Sequence, residues 1–336
     1  MLRTVPGTTD RRIDALLALL ADHPLSGISG ARIAREIGVS RSAVWQWVEK
    51  LRALGVRIQG HPRAGYRVQT VPDILIPRLL RHRLSGTMFG KRIHHFFKVD
   101  STNAVAMNLG FKDEPHGAVV IAEEQTAGRG RLGRTWYSEK TSGIYASLLL
   151  RPPIPPAQAP LLTLLAGLAA RDAVIEQTGL RPDIRWPNDL LLNKRKFCGI
   201  LTEMHAEPER IRFVVVGIGM NVNHARMPED LWETATSLRI ETGRAFSRLE
   251  LLIKLLRAFD RRYAQFIAEG PALTLEEFAG ASSFVTGKRV RVSTATESFT
   301  GTTAGLDPSG ILRVVRDDGK GGPSGELVFA GDITAE

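Results

Sequence analysis

GRGRLGRTWYSEKTSG, residues 128–143, places Gly128, Gly130 and Gly133 at the spacing G-x-G-x-x-G, the glycine fingerprint of a dinucleotide-binding fold. That fingerprint needs a strand before it, a helix opening on its last glycine, and an acidic residue about 20 positions further on. A strand does precede it: residues 117–124, GAVVIAEE, form a short apolar run rich in Val and Ile. No helix follows. Arg134-Thr135-Trp136-Tyr137-Ser138 carries no apolar stripe at helical spacing, and a second strand is expected over 144–150. The stretch is a long loop between two strands. Glycines allow close backbone approach, and Arg129, Arg131 and Arg134 in one short loop suit an anion better than they suit each other. The loop is read as wrapping a phosphate, in preference to a merely solvated basic loop.

The 336 residues are expected to form two or three domains, with an ordinary hydrophobic fraction of 43%. The single cysteine, Cys198, leaves no internal disulfide and no cysteine-based zinc site, fits a reducing cytosol, and is read as core packing. No signal-peptide layout is present, and no segment is read as reaching the roughly 20 apolar residues of a membrane span, so a soluble cytoplasmic protein is expected. The formal charge of +10 suggests a polyanionic partner. Its distribution sharpens this: residues 1–70 carry eleven basic residues against five acidic ones, an electrostatic footprint for nucleic acid.

Three segments follow, divided at 1–70, 71–282 and 283–336. In the first, a helix is expected over 11–22, with Ile13, Leu16, Leu17 and Leu20 on one face. A second opens at Ser29 or Gly30 and ends at Ile37. A third is capped by Ser40 and ends at Gly55. Val44, Val48 and Leu51 face the core with Trp47 beside them, and Arg41, Ser42, Gln46 and Lys50 point outward. A hairpin follows whose tip holds His61 and Arg63. This is a winged helix-turn-helix, with Ser40, Arg41, Ser42, Gln46, Lys50, His61 and Arg63 as its DNA-contacting candidates. Trp45 lies off the core stripe and is left unassigned between contact residue and partly buried one. The second segment mixes strands (93–99, 117–124, 144–150, 196–205, 211–220) with helices (74–84, 101–109, 156–178, 247–269), giving an α+β domain with a mixed sheet. The third alternates short strands with Gly, Pro and Asp turns, the pattern of a small β-barrel.

Three stretches of the middle segment bear on chemistry. Asp100-Ser101-Thr102-Asn103 stands where a strand ends and a helix begins, fit either for ordinary capping or for holding a carbonyl or ureido group. Arg185-Trp186-Pro187-Asn188-Asp189 is either a structural turn or a site for a metal or an amine. Lys196 enters an apolar strand, either solvated or partly enclosed to meet a developing phosphate charge. There is no G-x-x-x-x-G-K-[ST], no H-E-x-x-H and no G-x-S-x-G, and the eight histidines show no metal-ligand spacing. Nucleotide chemistry would run on arginine and lysine clamps.

EQTA at 124–127 followed by GRGRLGRTW, then RWPNDLLLNKRKFCGIL at 185–201 and VVVGIGMNVN at 214–223, resembles the biotin protein ligase family over nearly the whole chain. With its winged helix the chain is similar to the bifunctional members that also repress the biotin operon. The resemblance implies a biotin/lipoate-ligase-type catalytic domain and a C-terminal SH3-like barrel. It implies that Ser101, Thr102, Asn103 and Gln125 hold the biotin head group. Gly128, Arg129, Gly130 and Arg131 would close over the biotin carboxylate and the α-phosphate, with Lys196 on the same oxygens; Lys196, Arg129 and Arg131 are the catalytic set. Arg131, Arg134, Trp136, Asn188, Asp189 and Asn221 would line the ATP side, residues 223–233 would be a mobile loop ordering over the nucleotide, and Mg²⁺ would enter with ATP, Asp189 being its candidate protein contact. Arg185 departs from the lysine common at that place in the family, which leaves a cation in position. Implied partners are the biotin carboxyl carrier protein of acetyl-CoA carboxylase, operator DNA and a second copy of the chain, with no membrane. Readings left open are a lipoate ligase, a ligase without DNA-binding regulation, and a biotin sensor without catalysis.

Overall fold

The computed structural model describes residues 15–17, 19–20, 23, 27–53, 56–61, 64–70, 73–294, 297–319, 325–328 and 331–335. Ile13, Gly55 and Arg63, named above, lie outside them. Helices α1 (Gly30–Ile37) and α2 (Arg41–Ala53) are joined by a turn whose Gly38 is left-handed at φ 73°, a conformation glycine adopts without a steric penalty. Ser29 Oγ accepts from Arg32 N, and Ser40 Oγ from Ala43 N at 3.2 Å, so each helix starts on a serine cap. The wing is the antiparallel pair β1 (Arg57–His61) and β2 (Gly65–Thr70). Leu16, Leu17, Leu20, Ile33, Val44, Val48, Leu51, Ile58 and Val68 form one buried core, joined by Ile74 and Ile76 from the following segment.

Beyond α3 (Pro77–Arg83) comes a seven-stranded sheet of order β3-β4-β5-β9-β8-β7-β6. Its strands are β3 (Arg92–Phe96), β4 (Ala118–Ala122), β5 (Gly143–Leu150), β6 (Asp183–Arg185), β7 (Asp189–Leu192), β8 (Arg195–Ala206) and β9 (Ile211–Asn221). Only β3 and β4 run parallel, bridged by α4 (Thr102–Phe111), so the sheet is mixed as expected. Short strands β6 and β7 and helices α6 (Leu238–Thr242) and α8 (Ala272–Ala281) were not expected from sequence. Trp186-Pro187-Asn188 is a turn, one of the two readings given for that stretch, and it joins β6 and β7 into a tight antiparallel pair.

Helix α5 (Leu161–Thr178) corrects the membrane reading. Residues Pro156–Thr178 are long and apolar enough to cross a membrane, an 18-residue window of them having mean hydropathy 1.2, but 67% of that window is buried inside the protein. It is apolar on nearly every side because the sheet, α7 (Arg248–Glu269) and α8 enclose it. The C-terminal segment is a five-stranded antiparallel sheet of order β13-β12-β11-β10-β14, formed by β10 (Thr286–Ser293), β11 (Ser298–Leu306), β12 (Leu312–Arg316), β13 (Glu326–Val328) and β14 (Asp332–Ala335). Val290, Val292, Leu312 and Val314 belong to the same continuous core as α5, and Trp186 Nε1 donates to Gly310 O at 2.9 Å.

Strand β9 positions the site by simple alternation. Val214, Val216, Ile218 and Met220 face the α5 core; Phe213 and Val215 face α4; further along that second face stand Gly217, Gly219 and Asn221. Where β9 loses its side chains, the sheet has a floor with space above it.

Candidate active site

The space above Gly217 and Gly219 is a cleft of about 430 Å³. All eight residues assigned to the biotin head group and loop except Gly128 line it directly, together with Lys196. Gly128 stands just behind: a Cβ there would lie 2.6 Å from Trp136 O and 2.9 Å from Ser138 Oγ, because the loop folds back on itself. The fold-back is a miniature hairpin in which Trp136 N donates to Gly128 O at 2.9 Å and Gly130 N to Arg134 O at 2.7 Å. At its tip the non-glycine Leu132 sits at φ 55°, 62% exposed, a strained conformation held next to the arginines.

Thr102 and Asn103, at the start of α4, are buried and fully partnered. Thr102 N and Oγ1 donate to Gln125 Oε1 at 2.8 and 3.1 Å, and Gln125 Nε2 donates to Ser138 Oγ at 2.9 Å. Ser147 Oγ, on β5, donates to Asn103 Oδ1 at 2.6 Å and lies 2.8 Å from Thr102 Oγ1. Asn103 Nδ2 donates to Glu203 Oε2 at 2.7 Å, and Glu203 Oε1 stands 3.7 Å from Arg129 Nη1. Sequence reading missed Ser147, Ser138 and Glu203. The period of β5 was the available signal: Ser147 is the polar exception in an otherwise apolar strand.

A second, larger cleft of about 1290 Å³ opens beside the first. Arg131, Arg134, Trp136, Asn188, Asp189 and Asn221 all line it, as do Met227, Leu231 and Glu233 of the expected lid. That lid is anchored at both ends: Asn223 exchanges side-chain hydrogen bonds with the Phe246 backbone, and Lys196 N and O pair with Thr234 O and Thr236 N at 2.8 and 2.9 Å. Trp136 Nε1 and Asn221 Oδ1 are buried and, among the described residues, have no hydrogen-bond partner, a costly arrangement unless a ligand supplies one.

The two clefts meet at Gly130, Arg131, Trp136, Asn188 and Lys196, which line both. Arg131 Nη1 donates to Asn188 Oδ1 at 3.0 Å, and the Lys196 ammonium lies 5.3 Å from the Trp136 ring centroid. Lys196 Nζ is 2.6 Å from Asp189 Oδ1, and Arg185 Nη2 is 2.7 Å from Asp189 Oδ2. Burial pushes the Asp189 carboxyl up, but these two cations outweigh it and hold it below the ordinary carboxylate value. Both oxygens are thus engaged by cations, and Asp189 does not fit as a ligand for Mg²⁺. Nor does any group of three or more His, Cys, Asp or Glu among the described residues have metal-site geometry. Cys198 is fully buried, its thiol pushed up to about 12 by burial, in keeping with its packing role.

On the helix-turn-helix, Arg41, Ser42, Gln46 and Lys50 are exposed on the half of α2 that faces away from the core, with Ser40 at its start and His61 exposed on the wing. Trp45 is 57% exposed on the same side, so it is not a core residue.

A mixed sheet with a basic glycine loop folded over a two-lobed cleft is built to bring two substrates together, as a ligase does. Comparison with known proteins agrees: residues 96–221 match the Biotin/lipoate A/B protein ligase family, 11–67 an HTH domain, and 285–330 the Biotin protein ligase C terminal domain. The bifunctional ligase/repressor BirA of Bacillus subtilis is 37% identical over 308 residues, 90% of this chain and 94% of the relative. The biotin–[acetyl-CoA-carboxylase] ligase of Mycobacterium tuberculosis is 36% identical over 267 residues, 76% of this chain and 94% of the relative. The solved biotin protein ligase from Aquifex aeolicus in complex with biotin and ATP superposes with a TM-score of 0.63 at 28% identity, over 73% of this chain and 99% of that one. The chain belongs to the biotin protein ligase family, in the form that carries an N-terminal helix-turn-helix domain.

Proposed function

We propose that the protein joins biotin to ATP as biotinyl-5'-AMP and transfers the biotin to a lysine of the biotin carboxyl carrier protein of acetyl-CoA carboxylase. The observation that carries this is the junction of the two clefts, where Arg131 and Lys196 face both lobes. A carboxylate attacking the α-phosphorus of ATP brings anion onto anion, so the barrier is largely electrostatic. Arg129, Arg131 and Lys196 supply positive charge where it develops. Pyrophosphate leaves; Mg²⁺, if bound with ATP, would supply further positive charge against the phosphates. The head group is assigned to Ser101, Thr102, Asn103 and Gln125, and the nucleotide to Arg131, Arg134, Trp136, Asn188, Asp189 and Asn221.

The mixed anhydride would be lost to water in an open site. The arginine loop and residues 223–233 are the parts suited to cover it. In the second half-reaction the neutral amine of the acceptor lysine attacks the acyl carbon and AMP leaves. An Asp189 partnered by two cations is a weak base, and it meets that amine only if one of its ion pairs opens. The helix-turn-helix domain, through Ser40, Arg41, Ser42, Gln46, Lys50, His61 and Arg63, binds a two-fold operator as part of a homodimer, with the adenylate as corepressor. The working division is 1–70 for DNA, 71–282 for catalysis and 283–336 for the C-terminal sheet, in a cytoplasmic protein.

The test is biotin-dependent exchange of labelled pyrophosphate into ATP. Exchange in the wild type that falls about 10²–10³-fold in Lys196→Ala, with the fold retained by circular dichroism, is expected. Absent exchange in the wild type, with biotin still bound, would turn the reading towards a biotin sensor.

A further inference from the structure

The floor of the smaller cleft is two rungs of the β8–β9 ladder, Gly199 opposite Gly219 and Leu201 opposite Gly217. Paired residues point to one side of a sheet, so the next rung on the same face is Glu203 opposite Val215. Val215 is buried under α4, whereas the Glu203 side chain is 30% exposed and stands just beyond the lining of the cleft. Its charge is out of keeping with its surroundings. Arg129, Arg131 and Lys196 line the cleft and gather positive charge there, and a carboxylate beside them weakens that field.

The contacts of Glu203 give it a use. Its Oε2 accepts from Asn103 Nδ2 at 2.7 Å, and the same amide nitrogen donates to Leu201 O at 3.2 Å. Ser147 Oγ donates to Asn103 Oδ1 at 2.6 Å. Both hydrogens of the Asn103 amide are thus spent and the amide cannot turn over. What Asn103 can still offer a ligand is the second lone pair of its oxygen, an acceptor. The other carboxylate oxygen, Glu203 Oε1, lies 3.7 Å from Arg129 Nη1, a loose pair beside the 2.6 Å between Lys196 and Asp189. A guanidinium has five N–H donors, so one edge on Glu203 leaves the others free to meet an anion in the cleft that Arg129 lines. One carboxylate therefore joins the start of α4 to the arginine loop.

We propose that Glu203 is a positioning residue for the ligand of the smaller cleft: it fixes the Asn103 amide at the head-group end and steadies Arg129 at the carboxylate end. A ligand with a neutral, hydrogen-bonding head and an anionic tail then meets both ends already set. This rests on the reading of that cleft as the biotin site. Steadying Arg129 beforehand lowers the ordering cost that binding must meet. An exposed ion pair contributes little, so the effect on affinity is severalfold rather than many hundredfold. Its sign is the telling part. Plain Coulomb repulsion says that removing a negative charge beside an anion site strengthens anion binding, and positioning says the reverse.

The experiment is calorimetric binding of biotin and of biotin methyl ester, which has the same head and an uncharged tail, to the full chain and to Glu203→Gln and Glu203→Ala. Glutamine keeps an acceptor for Asn103 but lacks the charge that holds Arg129. In Glu203→Gln, biotin affinity falls about threefold to tenfold, while that of the ester stays within about twofold. In Glu203→Ala, Asn103 loses its acceptor as well, and both ligands weaken. Biotin affinity that rises or holds steady in Glu203→Gln would overturn the proposal. So would equal losses for biotin and ester in that variant, the result that a general loosening of the fold gives. A wild-type protein that binds neither ligand would defeat the biotin reading of the cleft itself, and the proposal with it.

Discussion

Gly217 shows how tightly single residues set the smaller cleft, the one proposed for biotin. A Cβ built there would stand 2.1 Å from Asn103 Oδ1, which Ser147 holds in place. Gly217→Ala is expected to displace Asn103 and weaken biotin binding at least tenfold, measured by calorimetry, with Tm changed by only a few degrees; unaltered affinity would separate Asn103 from the head-group site. His224 sets a pH limit instead. It is fully buried beside Tyr145, and burial pushes its pKa from 6.5 down to about 4. The unfolded chain binds its proton first, so the stability it lends is present above about pH 6.5 and is lost as pH falls through about 4, on the order of 3 kcal/mol in all. Glu123 adds a second, lower window. Burial raises its carboxyl, His95, Arg248 and the Leu75 amide outweigh that, and the result, about 2 against 4.5, withdraws stability as pH falls from about 4.5 through 2. Chemical denaturation at pH 7, 5.5 and 4.5 is expected to show a steady loss that His224→Gln flattens; parallel curves would remove His224 as the cause. None of these roles was legible in the sequence, because burial depends on strands that meet only in the fold.

At the scale of elements, the sequence was most legible where a pattern repeats. Five strands of the central sheet and the helices expected at 101–109, 156–178 and 247–269 form close to where they were expected, since a Val- and Ile-rich apolar run, or an apolar stripe, leaves few alternatives. Strands β6 and β7 escaped because each has only three or four residues and a proline stands between them. The glycine loop was read correctly as a loop from a missing helix stripe, and its three arginines were assigned to a ligand from charge alone. What charge could not show is that Glu203 ties Arg129 to Asn103 across the cleft. The recognition helix makes its own prediction. Arg41 and Lys50 are both exposed on α2, flanking its outward face, so Arg41→Ala with Lys50→Ala should weaken operator binding and make the log–log salt dependence shallower by about two, each cation counting for one phosphate. Pyrophosphate exchange should be unchanged. A filter-binding salt series with an unchanged slope would show that α2 is not the DNA-facing helix.

For the molecule as a whole, three segments were anticipated, but their connections were not. The C-terminal sheet shares one core with α5, and the strap at 73–76 belongs to two cores at once. Such packing lies beyond local pattern, since it joins residues more than a hundred positions apart, as Trp186 with Gly310 and Asp73 with Arg248. It also gives the protein its logic: one two-lobed cleft, a loop whose foot at Glu123 accepts from Leu75 N of the strap, and a helix-turn-helix module at the far end of that strap. The central claim is that this site makes and transfers activated biotin. The most direct measurement is the intact mass of a recombinant biotin carrier domain after incubation with the protein, biotin and ATP. A single added biotin on one lysine, requiring both substrates and lost with Lys196→Ala, is the predicted result. An unmodified carrier, with wild-type protein that still binds biotin, would contradict it.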